Sequence, residues 1–125
     1  MMKPIQILIV DDYATVRAGL RALLELEADM EVVGEAADGA TAVSKARLLH
    51  PDVILLDMVL PDFDGVTVIQ AVRLENPTIP ILILSNYGET ERVKAAMAAG
   101  ATHYLLKDRH LRSLVTAVRE VGLVT

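Results

Sequence analysis

The sequence predicts an α/β domain in which five parallel strands alternate with five helices. Two patterns follow one another along the 125 residues. Short apolar runs rich in β-branched residues, without polar alternation, indicate strands that are buried on both faces. Between these runs, apolar residues spaced three or four apart indicate helices that bury one side. Because five such pairs occur in succession, we expect one parallel sheet between two layers of helices.

The apolar runs define the predicted strands, and Gln6 is the one polar residue within the first run. Crossover connections between parallel strands are right-handed, which makes the flavodoxin-like strand order 2-1-3-4-5 the expected one. The five runs comprise residues 5–10, 30–33, 53–56, 81–84 and 104–106.

The helical stripes lie between and after these runs. Asn76-Pro77 predicts the end of the third helix, and Gly100 predicts the end of the fourth. Since strands and helices account for nearly all of the sequence, we expect a single domain over residues 1–125. The stripes are Val16, Leu20, Leu23 and Leu24; Val43, Ala46 and Leu49; Val68, Ile69 and Val72; Val93, Ala96 and Met97; and Leu111, Leu114, Val115, Val118 and Val121.

Composition excludes several classes of protein. Hydrophobic residues make up 53% of the chain and aromatic residues 3%, which predicts an aliphatic core and excludes intrinsic disorder. The net charge of −5 argues against direct contact with nucleic acid. The absence of cysteine excludes a disulfide scaffold, a thiolate metal site and a cysteine nucleophile. No apolar stretch approaches the roughly 20 residues of a membrane span, so we expect a cytoplasmic protein without membrane contact.

Polar residues directly follow four of the five apolar runs. Asp11 and Asp12 follow the first, Asp57 the third, Ser85 the fourth and Lys107 the fifth. In the expected strand order these ends meet at the edge of the sheet where ligands of such folds bind. The sequence therefore predicts a cluster of three carboxylates, one hydroxyl and one ammonium.

This cluster has the composition of a phosphoryl-transfer site. Neighbouring carboxylates repel one another, and their oxygens are the ligands that suit Mg²⁺. A carboxylate that is neutralised by a metal and faces Lys107 can act as a nucleophile and form an aspartyl-phosphate. The ammonium and the hydroxyl of Ser85 would help to neutralise the transferred group. Each residue alone is as well explained by a turn, a helix cap or a surface charge, and only their joint placement favours a site.

At these residues the sequence resembles the receiver domain of bacterial two-component response regulators, over essentially the whole chain. The matching segments are the acidic pair after ILIV, LLDMVLPDFDG around Asp57, Ser85 after ILIL, and GATHYLLK ending at Lys107. The segments GATHYLLKD and VRAGLRALLE look most like the NarL/FixJ (LuxR-type) subgroup.

The resemblance implies a function for each acidic residue. Asp57 would accept a phosphoryl group from a sensor histidine kinase. Mg²⁺ would be bound directly by Asp12, Asp57 and the backbone carbonyl of Val59, and by Asp11 through water. Such a domain catalyses its own phosphorylation but converts no metabolite, so we do not expect an enzyme in the usual sense.

The resemblance also implies a pair of switch residues. The hydroxyl of Ser85 would move onto the phosphoryl group, and the ring of Tyr104 would turn inward into the space left behind. Taken without the resemblance, the alternative is that Tyr104 is an ordinary packing residue on an edge strand.

Members of the subgroup usually carry a C-terminal helix-turn-helix domain that binds DNA. This chain ends at Thr125, and residues 122–125 look like the start of a linker. We therefore expect a truncated regulator, with a stand-alone receiver as the alternative. Phosphorylation would favour a homodimer through helix 1 or the face of helices 4 and 5, although the apolar residues there could all pack on the sheet.

Three other functions fit less well. Haloacid-dehalogenase-type phosphatases place Asp-x-Asp after their first strand, whereas this acidic pair is adjacent and the candidate nucleophile follows the third. A flavin carrier needs a glycine- or hydroxyl-rich phosphate loop after the first strand, and DDYATVRAG offers acids instead. A degenerate receiver that never binds phosphate stays open, because Asn86 could narrow the access to Asp57.

The residues flanking the site predict slow loss of phosphate from Asp57. Asn86 stands where alanine or glycine is usual, and neither Val59 nor Tyr87 offers an acid or amide that could position a water molecule. Asp108 stands where many receivers have proline, so no cis peptide is implied there. Intact-protein mass spectra, recorded over time after removal of the donor, should show a persistent adduct; loss within seconds would contradict this prediction.

Overall fold

Five parallel strands form one sheet in the order β2-β1-β3-β4-β5, as the sequence predicts. The computed structural model describes residues 3–86, 88–107 and 111–122, except for the side chains of residues 111 and 112. The elements in chain order are β1 (Ile5–Val10), α1 (Ala14–Glu25), β2 (Met30–Ala36), α2 (Gly39–Leu49), β3 (Val53–Asp57), α3 (Gly65–Glu75), β4 (Ile81–Ser85), α4 (Thr90–Ala99), β5 (His103–Leu106) and α5 (Leu111–Gly122).

Alternate residues of each central strand enter two separate cores. Leu8, Ile54 and Ile83 face α2, α3 and α4, whereas Ile9 and Leu55 face α1 and α5. Both cores consist of aliphatic residues and methionine, in agreement with the composition. Because helices cover both faces, the central strands have no solvent-facing side, which explains their continuous apolar sequences.

Strand β2 is three residues longer than predicted. It pairs with β1 as far as Ala36, through a register shift between Ile7 and Leu8. The apolar pattern ends earlier because β2 is an edge strand that admits Gly34 and Glu35 near its end. Glu35 is half-buried and forms ion pairs with two arginines of α1, at 3.0 and 2.8 Å.

Among the described side chains, the predicted helix faces and ends agree with the structure except at α2; the side chain of Leu111 lies outside the described residues. Leu49 lies at the end of the predicted stripe but is 37% exposed, so its assignment as an ordinary core residue is wrong. It packs instead over Gly34 at the edge of the sheet, where an added Cβ would lie 2.6 Å from its Cδ1. Helix α3 stops before Asn76, and α4 stops before Gly100, whose φ of 119° is readily adopted by glycine.

Polar contacts close the edge of the sheet where the strands begin. Arg73 donates hydrogen bonds to the carbonyl of Gly100 at 2.9 and 2.7 Å and to that of Ile79 at 2.7 Å. Asp52 accepts the backbone N–H of Gln6 at 2.8 Å. No helix in the described part of the chain has the length and hydropathy needed to cross a membrane.

Truncation of a core leucine should destabilise the fold far more than truncation of an exposed one. Leu55 is fully buried in β3, and its replacement by alanine should lower the free energy of unfolding by about 2–5 kcal/mol. The control is Leu74→Ala, because Leu74 is 89% exposed on α3 and its removal should change stability by less than about 0.5 kcal/mol. Urea unfolding measures both, and equal losses would contradict the assignment of the core.

Candidate functional site

The predicted site residues lie at the edge of the sheet where the strands end. Asp57 and Ser85 are the last residues of β3 and β4, Asp11 follows β1, and Lys107 follows β5. The carboxylates of Asp11, Asp12 and Asp57 each contribute an oxygen to a cluster within 4.8 Å. The backbone N–H of Lys107 donates to the carbonyl of Ser85 at 2.7 Å and fixes the end of β5 beside β4.

Lys107 connects two buried carboxylates. Its Nζ lies 3.1 Å from Oδ1 of Asp57 and 3.2 Å from Oδ2 of Asp11. The carboxylate side chains are 7% and 1% exposed, and that of Lys107 is 23% exposed. One ammonium thus faces two buried carboxylates, with the carboxylate of Asp12 close by, and the cluster has an excess of negative charge.

The charges of the cluster change the acidity of its members. Burial raises the pKa of Asp57, the ammonium of Lys107 opposes this effect, and the nearby carboxylate of Asp11 adds to it. Burial alone would lower the pKa of Lys107, but the carboxylates of Asp57 and Asp11 outweigh it and raise that pKa. The ammonium therefore stays charged, while ionisation of Asp57 is opposed by its surroundings.

The two adjacent acids have different environments. Asp11 is buried, and its Oδ1 accepts the N–H of Tyr13 at 2.9 Å while its Oδ2 accepts from Lys107. Its backbone carbonyl accepts a hydrogen bond from Arg17 at 2.7 Å. Asp12 is exposed to solvent. The cluster therefore combines fixed, buried oxygens with one oxygen donor that water reaches freely.

Ser85 has a buried hydroxyl that lacks a partner. The residue is fully buried, and its Oγ makes no hydrogen bond in the described structure. Its neighbour Leu84 pairs with Asp57 across β3 and β4, so Ser85 and Asp57 end neighbouring strands at the same edge of the sheet. Because an unsatisfied buried polar group is costly, a hydrogen bond from this hydroxyl to an added acceptor would be favourable.

Tyr104 lies on β5 opposite Ile83 and is 45% exposed. Its ring helps to line a groove of about 580 Å³ that also includes Ser85, Val93 and Met97. The two residues predicted to form the switch pair thus border the same open space, although they lie on different strands.

The loop between β3 and α3 is attached to both the site and α2. The backbone of Val59 lowers the pKa of Asp57, and it is the smallest of the effects on that carboxyl. The carboxylate of Asp62 accepts the N–H groups of Gly39 and Ala40, at 2.7 and 3.0 Å, where α2 begins. These partners lie more than 20 residues away in the sequence, so the residue pattern around Asp62 gives no sign of the contact.

A second carboxylate was also missed. Oε1 of Glu89 accepts the backbone N–H of Asn86 at 2.7 Å, within the loop between β4 and α4. Asn86 is itself exposed, and its predicted effect on access to Asp57 stays a prediction. The predictions for Tyr87 and Asp108, and for the linker-like residues 123–125, lie outside the described residues.

Known proteins share both the sequence pattern and the fold. The sequence profile of the response regulator receiver domain matches residues 7–119. The response regulator protein VraR of Staphylococcus aureus is 39% identical over 118 residues, a match that covers 94% of this chain and 56% of VraR. The chain thus spans little more than half the length of that relative.

Solved structures agree with this match. The signal receiver domain of NarL from Mycobacterium tuberculosis superimposes with a TM-score of 0.92 at 34% identity, over 99% of this chain and all of that one. A LuxR-family two-component response regulator from Aurantimonas sp. gives 0.91 at 31% identity, over 96% of this chain and 86% of that one. With the acidic cluster, the strand order and the profile match in agreement, the chain belongs to the response regulator receiver domain family, and it is similar to the NarL/LuxR subgroup.

Proposed function

We propose that this chain is a phosphorylation-dependent signalling switch, in which Asp57 accepts a phosphoryl group from a sensor histidine kinase. The observation that carries the proposal is the contact of Asp57 with Lys107 beside two further carboxylates. A structural salt bridge would need one acid for one base, whereas this ammonium contacts two carboxylates and a third lies in the same cluster. Such an excess of oxygen donors at strand ends favours a site that takes up positive charge and a phosphoryl group.

The transfer itself needs a nucleophile and a means of charge neutralisation. A carboxylate oxygen of Asp57 would attack phosphorus, and the bond between phosphorus and the imidazole nitrogen of the donor would break. The electron pair of that bond leaves with the imidazole, which takes up a proton from solvent. Lys107, already 3.1 Å from Oδ1, would stay beside the new phosphoryl oxygens as a fixed cation.

The acidic cluster fits Mg²⁺. Its carboxylate oxygens are hard ligands within 4.8 Å of one another, and the exposure of Asp12 leaves room for the waters that this ion retains. We propose Asp12, Asp57 and the backbone carbonyl of Val59 as direct ligands, with Asp11 acting through water. When bound, the metal would offset the charge of the carboxylates and of the phosphoryl oxygens.

Ser85 and Tyr104 would carry the signal away from the site. The unpartnered Oγ of Ser85 would gain a phosphoryl oxygen as acceptor, and its displacement would leave space in the groove. The half-exposed ring of Tyr104 borders that space and would turn into it. The surface formed by α4, β5 and α5 would change in consequence.

The output would lie in a longer protein. Because the chain spans 56% of the length of VraR, we propose that it is the receiver part of a cytoplasmic transcription regulator with a C-terminal helix-turn-helix domain. Its net charge of −5 makes direct DNA contact by the receiver itself unfavourable. Dimerisation of phosphorylated receivers, through α1 or the face of α4 and α5, would bring two such DNA-binding domains together.

Phosphorylation can be tested directly on the isolated chain. Incubation with acetyl phosphate and Mg²⁺ should add one phosphoryl group, detected in the intact-protein mass, and chelation of the metal should abolish the addition. Asp57→Asn should take up none, because the amide is not a nucleophile. The control is Asp52→Asn, since Asp52 bonds Gln6 at the opposite edge of the sheet and its loss should leave the adduct unchanged. An adduct on Asp57→Asn, or none on the unaltered chain, would refute the assignment.

The same cluster predicts that Asp57 destabilises the metal-free fold. Because its pKa is raised in the folded state, stability falls as pH increases from the ordinary aspartate pKa through the raised one, and the deficit persists at pH 7. In a chelator at pH 7, Asp57→Asn should therefore have a higher free energy of unfolding than the unaltered chain. The difference should shrink on acidification and on addition of Mg²⁺, in thermal melts monitored by circular dichroism. A less stable Asp57→Asn variant under metal-free conditions would contradict this reasoning.

A further inference from the structure

Two buried side-chain atoms in the described structure lack a hydrogen-bond partner, and both belong to the segment that joins β4 to α4. They are Oγ of Ser85 and Oε2 of Glu89. Leaving a buried polar atom without a partner is costly, so such atoms are rare and each calls for an explanation. The proposed function gives the hydroxyl of Ser85 an acceptor, the phosphoryl group, but it gives no role to the carboxylate of Glu89.

Glu89 turns its carboxylate back toward Ser85 instead of forward along α4. Its Oε1 accepts the N–H of Asn86, the residue after Ser85, at 2.7 Å. Its own N–H donates to the carbonyl of Asn86 at 3.3 Å, so the two residues close the loop reciprocally. Although it is charged, the side chain is only 14% exposed.

Two ordinary explanations for this carboxylate fail. Glu89 stands at the position that caps α4, but its side chain makes no capping hydrogen bond to the helix. The nearest cation is Arg92, whose Nη1 lies 3.8 Å from Oε2 and whose side chain is 60% exposed. A pair at that distance with an exposed arginine adds little stability. The shortest contact of the Glu89 carboxylate is therefore its hydrogen bond from the backbone N–H of Asn86, the residue after Ser85.

We propose that Glu89 is a positioning residue that holds the loop between β4 and α4 in its unphosphorylated arrangement. The inference rests on the proposed function, because it concerns the movement of Ser85 toward a phosphoryl group on Asp57. In the proposed switch the hydroxyl would move together with the backbone of Ser85, and the N–H of the next residue, Asn86, is held by Glu89. Phosphorylation would therefore have to break this hydrogen bond, and Glu89 would favour the unphosphorylated state.

The test compares variants that differ in how well they hold the loop. Glu89→Ala removes the hydrogen bond and should bind beryllofluoride, a phosphoryl analogue, about 5- to 10-fold more tightly in the presence of Mg²⁺. Glu89→Gln keeps an acceptor oxygen but loses its charge, and should fall between Glu89→Ala and the unaltered chain. Initial rates of phosphorylation by acetyl phosphate should follow the same order.

The matched control is Glu91→Gln. Glu91 lies in the first turn of α4, two residues after Glu89, and is 90% exposed, so the variant removes the same charge without touching the loop. Its affinity for beryllofluoride should equal that of the unaltered chain. An increase as large as that of Glu89→Gln would show a general effect of charge and would overturn the proposal.

A second measurement follows the hydrogen bond itself. In metal-free protein, exchange of the Asn86 amide hydrogen, followed by NMR, should be faster in Glu89→Ala than in the unaltered chain. Unchanged exchange, or unchanged or weaker binding of beryllofluoride by both Glu89 variants, would overturn the proposal while leaving phosphorylation of Asp57 intact. If the unaltered chain took up neither beryllofluoride nor a phosphoryl group, the proposed function would fail first. Should Glu89→Ala not fold, Glu89→Gln carries the same comparison.

Discussion

Helices cover both faces of the central sheet, and this constraint determines where polar chemistry can occur in the molecule. Interior positions of β1, β3 and β4 are almost entirely buried, so a charged side chain there would be desolvated without a partner. Only the ends of the strands remain for such groups. Because the strands are parallel, the ends that carry Asp11, Asp57, Ser85 and Lys107 meet at a single edge, and chain segments far apart in sequence form one cluster.

The two edges of the sheet differ in how completely their polar groups are satisfied. Where the strands begin, Arg73 and Asp52 bind backbone groups at hydrogen-bond distance, and Arg119 joins α5 to Asp29 at 2.7 Å. Where the strands end, a hydroxyl is unpartnered and negative charge is in excess. Stability thus comes largely from one edge and from the aliphatic cores, which leaves the other edge able to change its contacts without loss of the fold.

The fold and the membership of the acidic cluster could be predicted from the sequence, because both depend on the pattern of apolar runs and on the residue after each run. The extension of β2 through Glu35 could not, since an edge strand tolerates polar residues that interrupt the pattern. Asp62 and Glu89 were missed because backbone N–H groups are their partners, and every residue but proline offers one. A sequence does not show which backbone N–H a given carboxylate will accept from, and this becomes visible only in the folded structure. The chemical roles of the cluster stay predictions.

The scarcity of aromatic residues gives the molecule an intrinsic optical probe. The chain contains three tyrosines and no tryptophan. Tyr13 follows Asp12 and donates its N–H to Asp11, and Tyr104 borders the groove beside Ser85. In sequence, Tyr87 lies two residues after Ser85. Because Tyr13 and Tyr104 border the acidic cluster and its groove, and neither described core contains a tyrosine, their ultraviolet emission would report on events there without any attached dye.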